Sequence, residues 1–275
     1  MDIRAILAEY DAMFGVKKPD EIEAFLEQKI AQARRERDKD AVFAIMNEYV
    51  GLTRNLRHKE KCLEACDEIL NLAEEIRILN SPQHATMMLN VATAFTAFGR
   101  YAGAELLFED VEKLLGELGE TNTYTLASLY NNWSMLMVRQ KRFAEAVSLQ
   151  KKALTIIDPH DELVVEQATT RSNIASVLLR QFEADKDEEL LNEAEEILEK
   201  SFVLYRKDGG KSFHYGTALI IKGDIRMQRR DYAGAAEAYH AAMQNLEENL
   251  NRGQQYQTAK ALYERAKTLA EDTQA

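Results

Sequence analysis

Three stretches of the chain lie over one another without a gap: "LNVATAFTAFGRYAGAELLFEDV", "NNWSMLMVRQKRFAEAVSLQKKAL" and "IIKGDIRMQRRDYAGAAEAYHAAM". In each, a small residue (Ala92, Ser134 or Gly223) stands twelve positions before a second small residue (Ala104, Ala146 or Ala235). Small residues let two helices approach closely, and Tyr101, Phe143 and Tyr232 between them can staple a short turn, so each stretch predicts a helical hairpin. A unit repeated in this way stacks on its neighbours to bury a continuous core, which constrains the fold more than composition does.

Weaker copies extend the pattern. "RSNIASVLLRQFEADKDEELLNEAEEILEKSF" keeps Asn173 and Ala175 but carries the extra acidic stretch "ADKDEE" before Ala194, which predicts a longer inter-helix loop. Upstream, "AVFAIMNEYVGLTRNLRHKEKCLEACDEIL" fits as a divergent copy, residues 1–37 as a weak N-terminal helical hairpin, and "QQYQTAKALYERAKTLAE" as a polar cap. The expected organisation is a single solenoid over residues 1–275, with repeats across 38–250 and a capping helix in 251–275.

Composition agrees with an all-helical chain. Hydrophobic residues make up 46% and charged residues 29%, enough for a core, and the three prolines, Pro19, Pro82 and Pro159, lie at polar breaks where a helix would begin. Cys62 and Cys66 are four apart, unsuited to a routine structural bridge, and read as reduced core residues. No apolar run is long enough to cross a bilayer and the N-terminus lacks a secretion signal, so the expectation is a cytoplasmic protein with no membrane partner. A formal net charge of −11 argues against nucleic acid, whose phosphates require Lys and Arg.

The small-x11-small spacing and the turns "GRYAGAE", "KRFAEA" and "RDYAGAAEAY" resemble tetratricopeptide repeats. The step of about 42 residues is longer than the usual period and is similar to the variant of kinesin light chains and related bacterial proteins. The resemblance implies an all-α, right-handed α-solenoid of stacked antiparallel helix pairs. It covers about residues 40–250. The second-helix position that is usually aromatic is Phe108 and Tyr239 in two copies but Gln150 and Leu198 in others.

Asparagine is a poor helix former, yet Asn90, Asn132 and Asn173 recur at one site, two before Ala92, Ser134 and Ala175. Helical geometry groups Thr86, Asn90, Thr93 and Ala97 on one face, then Ser128, Asn132, Met135 and Arg139, then Thr169, Asn173, Ser176 and Arg180. In the family this resembles, first helices line a groove for extended peptides and asparagines here hold the peptide main chain. A carboxamide offers donor and acceptor together, so it can bond a peptide C=O and N–H without reading side chains. Helices stacked at about 10 Å would present one asparagine for every three residues of a strand-like ligand. The alternative is that the asparagines bond neighbouring helices and set the packing.

Asn131 borders the same face, and Trp133 reads as core filler between helices. Arg139 and Arg180 stand seven after Asn132 and Asn173, where their planar forks suit a carboxylate of a ligand or a glutamate of an adjacent repeat; Arg54 extends the row. The peptide-binding set is therefore Asn90, Thr93, Asn131, Asn132, Met135, Arg139, Asn173, Ser176 and Arg180.

Five scattered histidines, His58, His84, His160, His214 and His240, form no metal pattern, and "KDGGKSF" lacks P-loop spacing and follows a helix. No catalytic residue, metal or cofactor is expected. The leading function is a non-enzymatic module that binds an extended protein segment in its concave groove, an acidic one if the arginines meet ligand and not a neighbouring glutamate. A bacterial receptor for short signal peptides and a self-associating scaffold are the alternatives.

Overall fold

The computed structural model describes residues 1–121, 123–210, 212–248 and 253–274. Among them are thirteen α-helices and no strand. The helices are α1 (Ile3–Met13), α2 (Pro19–Arg35), α3 (Lys39–Asn55), α4 (Lys59–Glu75), α5 (Pro82–Ala97), α6 (Tyr101–Glu117) and α7 (Tyr124–Arg139). They continue as α8 (Phe143–Ile157), α9 (Val164–Asp185), α10 (Glu188–Lys207), α11 (Phe213–Gln228), α12 (Tyr232–Glu248) and α13 (Gln254–Gln274).

The chain divides into two compact units, Met1–Arg139 and Gln140–Ala275. In the first, each helix packs on the next, and the odd-numbered helices also pack on one another, α1 on α3, α3 on α5 and α5 on α7. That row is the face on which the asparagines of α5 and α7 were expected. In the second unit α9, α11 and α13 form the corresponding row, with α10 and α12 packed between them.

Local chemistry sets the helix ends. Asp2, Asp38 and Ser81 cap α1, α3 and α5 by accepting from the N–H of Ala5 (3.0 Å), Ala41 (3.0 Å) and His84 (3.2 Å). Pro19 and Pro82 occupy first-turn positions, where a missing N–H costs nothing. Pro159 differs, lying in the turn between α8 and a short 3₁₀ turn, Asp161–Leu163, that precedes α9. At the other ends the backbone swings left-handed, through Gly99 and Gly119 but also through Arg37, Arg57, Arg77, Lys141, Lys186 and Arg230. A non-glycine residue there costs about 1–2 kcal/mol, partly offset because a cation faces the negative end of the helix dipole.

The longer loop expected in the fourth copy does not form. α9 and α10 run 22 and 20 residues and are joined by Lys186 and Asp187 alone. The acidic stretch contains good helix formers and no Gly or Pro, so the inserted residues extend both helices, with Asp187 capping α10. "KDGGKSF" makes the turn between α10 and α11, with left-handed Gly209 and Gly210; Lys211 lies outside the described residues.

The recurring small residues are buried. Ala92, Ala104, Ser134, Ala146 and Ala235 are all 0% exposed. At Gly223 the approach is tightest, since an added Cβ would lie 2.3 Å from the ring of Tyr239 on α12. Phe108 on α6 stacks on Trp133 of α7 at 5.9 Å, the core role expected of that tryptophan. Cys62 and Cys66 are free and fully buried. Gly223→Ala is therefore expected to lower stability by about 1–3 kcal/mol through overpacking. Gly51→Ala, in mid-α3 with nothing within 4 Å of the new Cβ, is expected to raise it by about 0.5–1 kcal/mol. Denaturant melts of both variants check the crossing.

Candidate functional site

In the first unit α3, α5 and α7 carry one cavity of about 290 Å³, lined by Arg54, Asn55 and Arg57, by Thr93, Thr96 and Ala97, and by Asn132, Met135 and Arg139. Four of the expected residues, Thr93, Asn132, Met135 and Arg139, meet here, and Arg54 joins them. Their spacing explains why: Asn132, Met135 and Arg139 follow one another at intervals of three and four on α7, so they share one face.

The hydrogen bonds around the cavity show what remains for a ligand. Thr93 Oγ1 donates to the Leu89 carbonyl (2.8 Å) and Thr96 Oγ1 to that of Ala92 (2.9 Å), so both hydroxyls are left as acceptors. Asn132 Nδ2 donates once, to the Ser128 carbonyl at 2.9 Å, which leaves a second N–H and the amide oxygen. Asn55 Oδ1 accepts from Arg54 Nε at 3.4 Å, so its NH₂ is available. Met135 is 45% exposed and gives the cavity an apolar wall.

Asn90 behaves differently from Asn132. Its NH₂ donates to Asn47 Oδ1 on α3 at 2.9 Å, the packing alternative, and it is not among the cavity's lining residues. Asn131 does not line the cavity either, and its amide oxygen is buried. Asn173, Ser176 and Arg180 belong to the second unit, on α9, the first two half-buried and Arg180 exposed.

Two acids on these faces escaped sequence reasoning. Glu48 on α3 occupies the asparagine register, 42 residues before Asn90, and comparing that position in the divergent upstream copy would have found it. Burial pushes its carboxyl above the usual range, helped by Asp11, although Asn47 donates to it. Asp224 on α11 occupies the register of Thr93, Met135 and Ser176, one after the small residue. It accepts from Tyr239 OH at 2.6 Å; burial raises its pKa, opposed by that hydrogen bond and by Arg180. Arg57 was also missed, because it lies beyond the end of α3 in the left-handed turn and follows no helical periodicity.

Among the described residues no group of three or more His, Cys, Asp or Glu is placed to hold a metal, and no helix is long and apolar enough to cross a membrane.

Residues 126–157 match the family model of the tetratricopeptide repeat. Comparison of the sequence with curated proteins gives no match. Among solved structures, the apo form of RapI is 12% identical with a TM-score of 0.68, over 98% of this chain and 72% of that one. BtubC (BKLC) from P. vanneervenii is 18% identical with a TM-score of 0.55, over 94% and 93% of the two chains. A Rap protein in complex with competence and sporulation factor is 13% identical with a TM-score of 0.61, over 96% and 73%. At these identities the likeness is one of fold.

Two measurements check the assignments. Asn90→Ala removes a bond between helices and is expected to cost about 1 kcal/mol, whereas Asn173→Ala, with no partner among the described residues, is expected to stay within about 0.5 kcal/mol of wild type. Glu48 binds its proton more tightly when folded, so its contribution to stability falls as pH rises from the unfolded to the raised folded pKa and stays low above it. Glu48→Gln is therefore expected to raise Tm at pH 7 and to lose that advantage below the unfolded glutamate pKa, as thermal melts across pH would show.

Proposed function

We propose that this chain, a tetratricopeptide repeat protein, is a non-enzymatic binding module whose first-helix row in residues 1–139 receives an extended segment of a protein partner. The observation that carries this reading is the convergence of Thr93, Asn132, Met135 and Arg139 with Arg54 and Arg57 on one cavity. Amide groups with spare donors and acceptors suit a peptide main chain, which presents both at every residue. The arginines add a preference for negative charge on the ligand. Asn173, Ser176 and Arg180 offer the same chemistry on α9 of the second unit, with Asp224 beside Arg180 adding an acid that a purely acidic segment would avoid. The Rap protein of this fold seen with competence and sporulation factor supports a second reading, a receptor for a short signal peptide. The same groove would serve in that case.

The test uses peptides selected on the wild-type protein from a displayed random library. Asn132→Ala is expected to weaken the selected peptides by about 1–3 kcal/mol while the helical spectrum stays that of wild type. Arg139→Ala is expected to weaken acidic peptides more than their amide-substituted versions and to flatten the salt dependence. Selected peptides that bind Asn132→Ala and Arg139→Ala with undiminished affinity would remove this groove from the account.

A further inference from the structure

The cavity between α3, α5 and α7 gathers three guanidinium groups in a chain of net charge −11, and no carboxylate lines it. Some arginines of this protein meet acids, as in Arg34–Glu68, Arg142–Glu145, Arg171–Asp158 and Arg229–Glu188, while others such as Arg35, Arg37, Arg77 and Arg230 stand alone at the surface among the described residues, so what distinguishes this cavity is three guanidiniums on one lining. Arg54, Arg57 and Arg139 have no carboxylate within ion-pair distance among the described residues. Arg54 is half-buried, and loss of water pulls its pKa down, so a charged group is held there without a counterion. An anion in the cavity would offset that cost.

Geometry selects the kind of anion. Arg54 and Arg57 come from the end of α3 and the turn after it, Arg139 from the last residue of α7, and Thr93, Thr96 and Ala97 of α5 also line the cavity. A carboxylate is planar and is satisfied by one or two guanidiniums in its plane, whereas a phosphoryl group carries nearly two charges and three oxygens that accept from several directions. The two threonine hydroxyls have their protons committed, so the donors facing a ligand are the guanidiniums, Asn55 Nδ2 and the second N–H of Asn132. About 290 Å³ suits one compact group.

We propose that this cavity is a phosphoryl-binding pocket that takes the phosphate of a phosphorylated side chain on the segment held along the first-helix row. The inference deepens the segment-binding reading and rests on it for the polymer that carries the phosphate. Arg54 and Arg139 grip the group from two helices, and Asn132 bonds the main chain beside it.

The test uses single-residue probes, N-acetyl-phosphoserine amide, N-acetyl-glutamate amide and N-acetyl-serine amide, titrated into the full chain and followed by NMR. Phosphoserine amide is expected to bind at least about tenfold more tightly than the glutamate probe, and the serine probe not at all. Arg139→Gln and Arg54→Gln are each expected to weaken phosphoserine binding at least about tenfold with unchanged helical content, and Arg34→Gln, outside the cavity, to leave it unchanged. Equal affinity for the glutamate and phosphoserine probes would overturn the proposal in favour of a carboxylate site. Phosphoserine binding indifferent to both Arg54→Gln and Arg139→Gln, or no binding, would overturn it outright. These probes carry no extended main chain, so their failure leaves the peptide measurements on Asn132→Ala and Arg139→Ala to judge the segment reading separately.

Discussion

The repeats depend on how closely two helices of a pair can approach. In α5–α6 and α11–α12 the recurring positions hold nothing larger than alanine, and at Gly223 there is no side chain at all, so the ring of Tyr239 on the second helix can lie against the first. Phe108 and Tyr239 occupy equivalent places, yet to different effect. Phe108 makes a stacked contact with Trp133, whereas Tyr239 lays its ring on Gly223 and donates its hydroxyl to Asp224, the next residue of α11. A packing constraint thereby becomes an electrostatic one, since it holds an acid half-buried beside Arg180.

The spacing of small residues and aromatics was enough to read the helical hairpins and their sequence order. It was not enough for the acidic insertion after Phe182, which lengthened α9 and α10 because glutamates and leucines favour continued helix over an exposed loop. Face geometry grouped Asn132, Met135 and Arg139, and the fold adds Thr93 of α5 to the same cavity. It could not show that Asn90, in the same register as Asn132, would spend its amide on Asn47 of a neighbouring helix. Register names a face; the partner across the interface decides what the side chain does there. Arg57 stood outside any periodic argument because the turn, not the helix, aims it.

The charge layout of the first unit deserves the same physical reading as its packing. On the same helix, α3, Glu48 sits half-buried in the asparagine register while Arg54 lies nearer the C-terminal end. Neither charge neutralises the other by contact. A segment bound as proposed would meet different electrostatics near the middle of α3 and at its end, a difference that would orient it as well as hold it.

The left-handed residues that end so many helices are basic and exposed at Arg37, Arg57, Arg77, Lys141, Lys186 and Arg230. Trypsin cleaves after lysine and arginine, and an exposed turn can enter a protease cleft where a helix cannot. Sparing digestion of the native protein would thus cut between helices and release fragments bounded at whole elements, Asp38 opening one and Lys186 closing another. The same basic turns that settle these helix termini write the boundaries of the helices into the chain as a proteolytic map.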